Sequence, residues 1–183
     1  MTDALWYLGR GTGTVAMILL SVVVVLGIGG RSGRAVFGLP RFAVTIVHRN
    51  AALLSVVFLA IHVVTLLFDP YAQLNLASLV IPFTTSYRPL WMGLGTVASD
   101  LVIAIVVTSL LRHRLGVRAW QAVHWLAYLS WPLAMAHSIG AGTDEHQAWL
   151  LIIVAACGLA VAAAGVWRLS GRFLEYVRLE RAR

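Results

Sequence analysis

The stretch HRNAALLSVVFLAIH, residues 48–62, decides how this chain is read: an apolar run that opens and closes on histidine. Ionisable side chains inside a bilayer cost a few kcal/mol each and face a bundle interior, where they serve a site. A second run of the same kind, HWLAYLSWPLAMAH, spans residues 124–137. The paired histidines are 14 residues apart in the first run and 13 in the second. Four intramembrane histidines on two segments call for one explanation.

The composition supports a membrane setting. The chain has 183 residues, 60% hydrophobic and 11% charged, with a mean hydropathy of +0.86, so water is not its main solvent. A spanning helix needs about 20 apolar residues. Five segments meet that length: 13–30, 42–68, 91–111, 119–139 and 147–168. Unpaired backbone polar groups are not tolerated in lipid, so all five are expected to be helices. The connection 70–90 is too short in apolar length to cross and carries Pro82. It is expected at the interface, as a short helix or re-entrant loop. The whole chain, 1–183, reads as one transmembrane domain.

The net charge of +7 comes from arginines, with no lysine. They sit between apolar runs, which points to loop charge beside anionic lipid and away from a nucleic-acid surface. Arg31, Arg34, Arg41 and Arg49 flank the first connection, Arg112, Arg114 and Arg118 fill the third, and five more run from Arg168 to Arg183. The second and fourth hold Arg88 and the acidic pair Asp144 and Glu145. The positive-inside rule then puts the N-terminus outside and the C-terminus inside, with five spans. The N-terminus lacks the pattern of a removable signal, so the first apolar segment is expected to be retained. The single cysteine, Cys157, excludes a disulfide, a CxxC pair and a CxxCH haem attachment.

With that orientation the second and fourth spans run in the same direction. His48 and His124 share the inner depth, and His62 and His137 the outer one. Two imidazoles facing each other across a bundle suit the two axial positions of a haem iron. At about 1.5 Å of rise per residue the two levels stand roughly 20 Å apart. The angular phase is less tidy. Fourteen residues return to one face of a supercoiled helix, whereas thirteen fall short by about 100°. The fourth span must therefore be distorted, and Pro132 lies between its histidines. The fold expected is an all-α five-helix transmembrane bundle with a di-haem core.

Three stretches carry a family resemblance: residues 48–62, IPFTTSYRPLWMGLG at 81–95, and TSLLRHRLGVRAWQAVHWLAYLSWPLAMAH at 108–137. Through them the chain resembles the ferric reductase-like transmembrane domain family. That family includes membrane ferric reductases, NADPH oxidases and the haem subunit of the periplasmic methionine sulfoxide reductase system. The resemblance implies two haem b groups, an inner one on His48 and His124 and an outer one on His62 and His137, and electron transfer across a bacterial cell membrane. Family members commonly have six spans with the haem helices third and fifth, whereas here they are second and fourth. No nucleotide-binding motif follows a strand pattern in these residues. The resemblance therefore implies a separate donor or acceptor: an exported FMN-binding protein, a cytoplasmic flavin reductase, or a quinol. The chain reads either as an oxidoreductase or as its electron-carrying subunit.

Around the histidines, Arg49 is the expected partner of the inner haem's propionates and Arg88 of the outer haem's, because guanidinium forks suit carboxylates. Loop topology alone also accounts for either arginine. Trp131, between the two histidine levels, is either a path-shortening aromatic or a core side chain. Asp100, inside the third span, either moves protons or bonds Ser99, Thr96 or a neighbouring helix. A reading from another class is a non-redox proton pathway or transporter that uses the histidines and Asp100 as a relay. His113 and His146 are expected to be solvated; Asp144, Glu145 and His146 make at most a weak metal-docking patch.

Overall fold

The computed structural model describes residues 2–31, 38–142 and 147–170. They form seven helices: α1 (Thr2–Gly30), α2 (Arg41–Leu67), α3 (Pro89–Leu110), α4 (Arg112–Leu115), α5 (Val117–His124), α6 (Ala127–Gly140) and α7 (Ala148–Leu169). No strand occurs among the described residues, and a 3₁₀ turn at Ala77–Leu79 lies between α2 and α3. Arg34, Asp144, Glu145, His146 and the arginines from Arg172 onward lie outside the described residues.

Four helices are long and apolar enough to cross a membrane: Ala4–Gly30, Arg41–Leu67, Pro89–Leu110 and Ala148–Leu169. Large apolar side chains stay on the outside, with Phe42, Leu159 and Val166 each at least 70% exposed. An apolar surface on helices of this length fits a lipid surround. The expected span at 119–139 is covered by two helices, α5 and α6, and neither alone has the length of a crossing.

α1 starts well before residue 13, where the apolar run begins. The polar stretch GRGTGT folds as helix because its hydroxyls are absorbed locally: Thr12 Oγ1 donates to Leu8 O and Gly9 O, and Thr14 Oγ1 donates to Arg10 O. α2 begins just after Pro40, whose extended backbone cannot continue a helix backwards. α3 starts with Pro89 in its first turn, where the missing N–H costs nothing.

The bundle is built from two antiparallel pairs. α1 lies along α2, with Gly9 against Leu66 at one end and Gly30 against Val44 at the other. α3 lies along α6, with Gly140 against Trp91 and Gly95 against His137. Small residues at these seams let the backbones approach closely, the usual basis of packing where lipid supplies no hydrophobic drive. α1 also packs on α6 and α7. Trp131 Nε1 donates to the buried Ser21 Oγ at 2.9 Å, which ties α6 to the middle of α1.

The distortion expected between His124 and His137 is present, but it falls at Trp125–Leu126, while Pro132 sits inside the continuous α6. Successive backbone bonds span three residues there: Leu126 N to Val123 O, Tyr128 N to Trp125 O and Leu129 N to Leu126 O. A 3₁₀ turn has 3.0 residues per turn and so overwinds the helix. Overwinding is the correction that thirteen residues need to match the rotation fourteen residues make on α2.

Candidate functional site

The four intramembrane histidines meet in twos across the bundle. The ring centres of His48 and His124 are 6.3 Å apart, and those of His62 and His137 are 6.2 Å apart. The pairing is the one expected from the sequence, one imidazole from α2 and one from the α5–α6 arm at each level.

Three of the four rings are fixed by the same backbone device. His62 Nδ1–H donates to Gly9 O at 2.6 Å, His48 Nδ1–H to Val23 O at 3.0 Å, and His137 Nδ1–H to Trp91 O at 2.8 Å. Each acceptor is followed four residues later by a glycine, one helical turn on, against which the ring lies. A Cβ on Gly13 would fall 2.7 Å from His62 Nδ1, one on Gly95 2.5 Å from His137 Nδ1, and one on Gly27 3.3 Å from His48 Cε1. The glycine opens the wall of the neighbouring helix, and the carbonyl one turn earlier takes the proton. The hydrogen bond selects the tautomer with Nδ1 protonated and leaves Nε2 as the free electron pair of each ring. His124 differs: its Nδ1 is buried with no hydrogen-bond partner, and its ring lies 5.1 Å from that of Trp120.

A donor set of two neutral imidazoles is specific. Among the described residues no group of three or more His, Cys, Asp or Glu side chains converges on a point, so a tetrahedral metal ion lacks its ligands here. A metal–imidazole bond of about 2 Å puts each ring centre about 3 Å from the metal, so two opposed rings stand about 6 Å apart. Both pairs have that separation. A metal that carries its own four equatorial nitrogens, as haem iron does, completes its coordination with such a pair.

A cavity of about 530 Å³ adjoins the His62–His137 pair, within the range of roughly 300–1,000 Å³ for cofactor and ligand pockets. Its walls are largely apolar and include Gly13 and Gly95, with Arg10 and Tyr87 among the polar groups. Arg10 also stacks over Trp6, 5.7 Å from the ring centre. Asp100 and Ser99 line the same cavity.

The other expected site residues are placed as follows. Arg88 Nη1 donates to Gly140 O at 2.6 Å and to Gly142 O at 3.3 Å, so it satisfies carbonyls at the C-terminal end of α6. Arg49 is exposed, next to His48 on α2. Trp131 is bound to Ser21, midway between Gly13 and Gly27 on α1, and so lies between the two histidine levels. Reading the sequence missed α1 altogether as part of the site. The available signal was the 14-residue interval between Gly13 and Gly27, which repeats that between His48 and His62.

Fold and site together define a helical multi-pass membrane protein with two close pairs of imidazoles at separate levels of the bundle. Residues 12–135 match the family model described as ferric reductase like transmembrane component, and the chain belongs to that family. No curated protein and no solved structure matches the chain. Nothing in these comparisons supports a non-redox proton pathway.

Proposed function

We propose that the chain is a five-span b-type cytochrome that carries electrons across a bacterial cell membrane through two haems, one on His48 and His124, the other on His62 and His137. The observation that carries this reading is the pair of ring separations, 6.3 and 6.2 Å, each with room for one metal between the two rings. The family supports electron transfer as the role. α5 and α6 together serve as the fourth span. The arginine distribution supports an outer N-terminus and an inner C-terminus, which puts His48 and His124 at the inner level.

Haem iron supplies a one-electron couple when bound. The protein's part is to hold four Nε2 atoms in place, to exclude water with apolar helix faces, and to fix each ring before the cofactor arrives. Carbonyl acceptors on the far side of His48, His62 and His137 raise the donor strength of those rings. A separate flavoprotein or quinol exchanges electrons with the chain at either side. Arg10, on the wall of the cavity beside His62, is the arginine we assign to the outer haem's carboxylates. Arg88 is engaged instead with the carbonyls that end α6.

Detergent-purified protein is expected to be red, with pyridine haemochrome giving two haem b per chain and both low-spin. Colourless protein from haem-replete cells overturns the proposal, and one haem per chain reduces it to a single site. Arg10→Gln is expected to weaken retention of the haem on His62 and His137 by about tenfold on dilution, given about 1.5 kcal/mol for a charge-assisted hydrogen bond. Arg49→Gln serves as the comparison at the other level. Equal haem loss rates in the wild type and Arg10→Gln would remove Arg10 from that role.

A further inference from the structure

The carbonyl-and-glycine device repeats along the helices at a fixed interval. On α1 it stands at Gly9 and Gly13 and again, 14 residues on, at Val23 and Gly27. On α3 it stands at Trp91 and Gly95. The same interval along α3 leads to Ile105 and Ser109, on the same helix face, at the level of the inner pair.

At that fourth position the device is closed. Ser109 Oγ donates to Ile105 O at 2.6 Å, so the side chain stands over the carbonyl that would receive the imidazole N–H. The same Oγ accepts Trp120 Nε1–H at 3.1 Å. Trp120 in turn packs its ring 5.1 Å from that of His124, one helical turn away on α5. His124 Nδ1 is the atom left buried without a partner.

We propose that Ser109 occupies the place of a fourth glycine, and that with Trp120 it holds His124 by packing in place of a hydrogen bond, which sets the inner haem at the higher potential. This rests on the two-haem reading above. A ring whose Nδ1–H donates to a carbonyl is the stronger donor through Nε2 and favours the ferric state. His48, His62 and His137 have that assistance, and His124 does not. The outer haem therefore has two assisted ligands and the inner haem one. Ser109 and Trp120 are positioning residues: they act through His124.

The test is a redox titration of the purified, haem-loaded protein, followed by optical and electron paramagnetic resonance spectra. Two midpoints are expected in the wild type, with the higher one lost in His124→Ala. Ser109→Gly opens the wall and frees Ile105 O, and is expected to lower the higher midpoint by about tenfold in the reduction equilibrium, ~59 mV for one electron. The lower midpoint should not move, and its persistence reports an intact fold. Ser109→Ala separates the causes, because it also removes Trp120's partner but keeps a Cβ at the position that is glycine in the other three devices. It is expected to leave the higher midpoint near its wild-type value. Equal shifts in Ser109→Gly and Ser109→Ala, or no shift in Ser109→Gly with both haems present, overturn this proposal alone. A wild-type protein without two low-spin haems overturns the function reading and this proposal with it.

Discussion

His62→Ala is expected to remove the low-spin signature of one haem and leave that of the other intact, and His137→Ala is expected to remove the same one. The argument is geometric. The two rings are 6.2 Å apart and belong to different arms of the bundle. On the proposed reading, a haem held between them would lose one of its two protein ligands once either is gone. Each ring is half-buried, and its Nδ1–H is already committed to Gly9 O or to Trp91 O, so neither is free to swing over and replace a lost partner. The His48–His124 pair lies four helical turns away on α2, roughly 20 Å, and shares no ligand with it. The loss should therefore be confined to one level. His48→Ala and His124→Ala should form the complementary class. Haem content and low-spin electron paramagnetic resonance signals of the four variants provide the check. Crossed classes, with His62 and His124 behaving alike, would mean that the rings do not serve the haems they face, and both the pairing and the proposed path would fall.

Two kinds of information were unequally legible in the sequence. The histidine pairing was legible because it rests on depth alone: in a membrane helix the rise per residue turns positions 48, 62, 124 and 137 into two levels, whatever the helices do around their axes. The overwound turn was legible only as a need. Thirteen residues do not match fourteen, but Pro132 was the visible candidate, and the bundle places the tightening at Trp125–Leu126 instead, directly after His124. Helix α1 was the real gap. Gly9, Gly11 and Gly13 are weak helix formers and interrupt the apolar pattern, so the run seemed to begin at residue 13. Gly9 and Gly13 cost helix propensity and return room for Leu66 and His62, a tertiary reason that no local pattern contains. Arg88 was read as a propionate partner from its charge and position. Its Nη1 donates to Gly140 O and Gly142 O, which lie 52 and 54 residues further along the chain, and such contacts are not announced by its charge and position.

The glycines give the second large effect, and a graded one. Gly95→Ala would set a Cβ 2.5 Å from His137 Nδ1, Gly13→Ala 2.7 Å from His62 Nδ1, and Gly27→Ala 3.3 Å from His48 Cε1. Carbon and nitrogen do not approach to 2.5 Å, so at Gly95 and Gly13 the ring must move by most of an ångström. A displacement of that size breaks the Nδ1–H bond to the carbonyl one turn earlier and misdirects Nε2. Losing such a support typically costs 10–100-fold in metal affinity, and overpacking adds about 1–3 kcal/mol of strain. At Gly27 a shift of a few tenths of an ångström suffices, so the cost should be small. Gly11 has nothing within 4 Å of its Cβ position. There alanine should be neutral or slightly stabilising, since it favours helix by up to about 1 kcal/mol over glycine. The expected order of haem loss is Gly95→Ala, then Gly13→Ala, then Gly27→Ala, with Gly11→Ala unaffected. The first two should empty the outer level only, measured as haem per chain and as the surviving low-spin signal. General helix destabilisation cannot produce that order, because alanine improves helix propensity at all four positions. Full haem content in Gly95→Ala would show that the ring does not need the wall it lies against, and the account of how α1 and α3 build the site would fail.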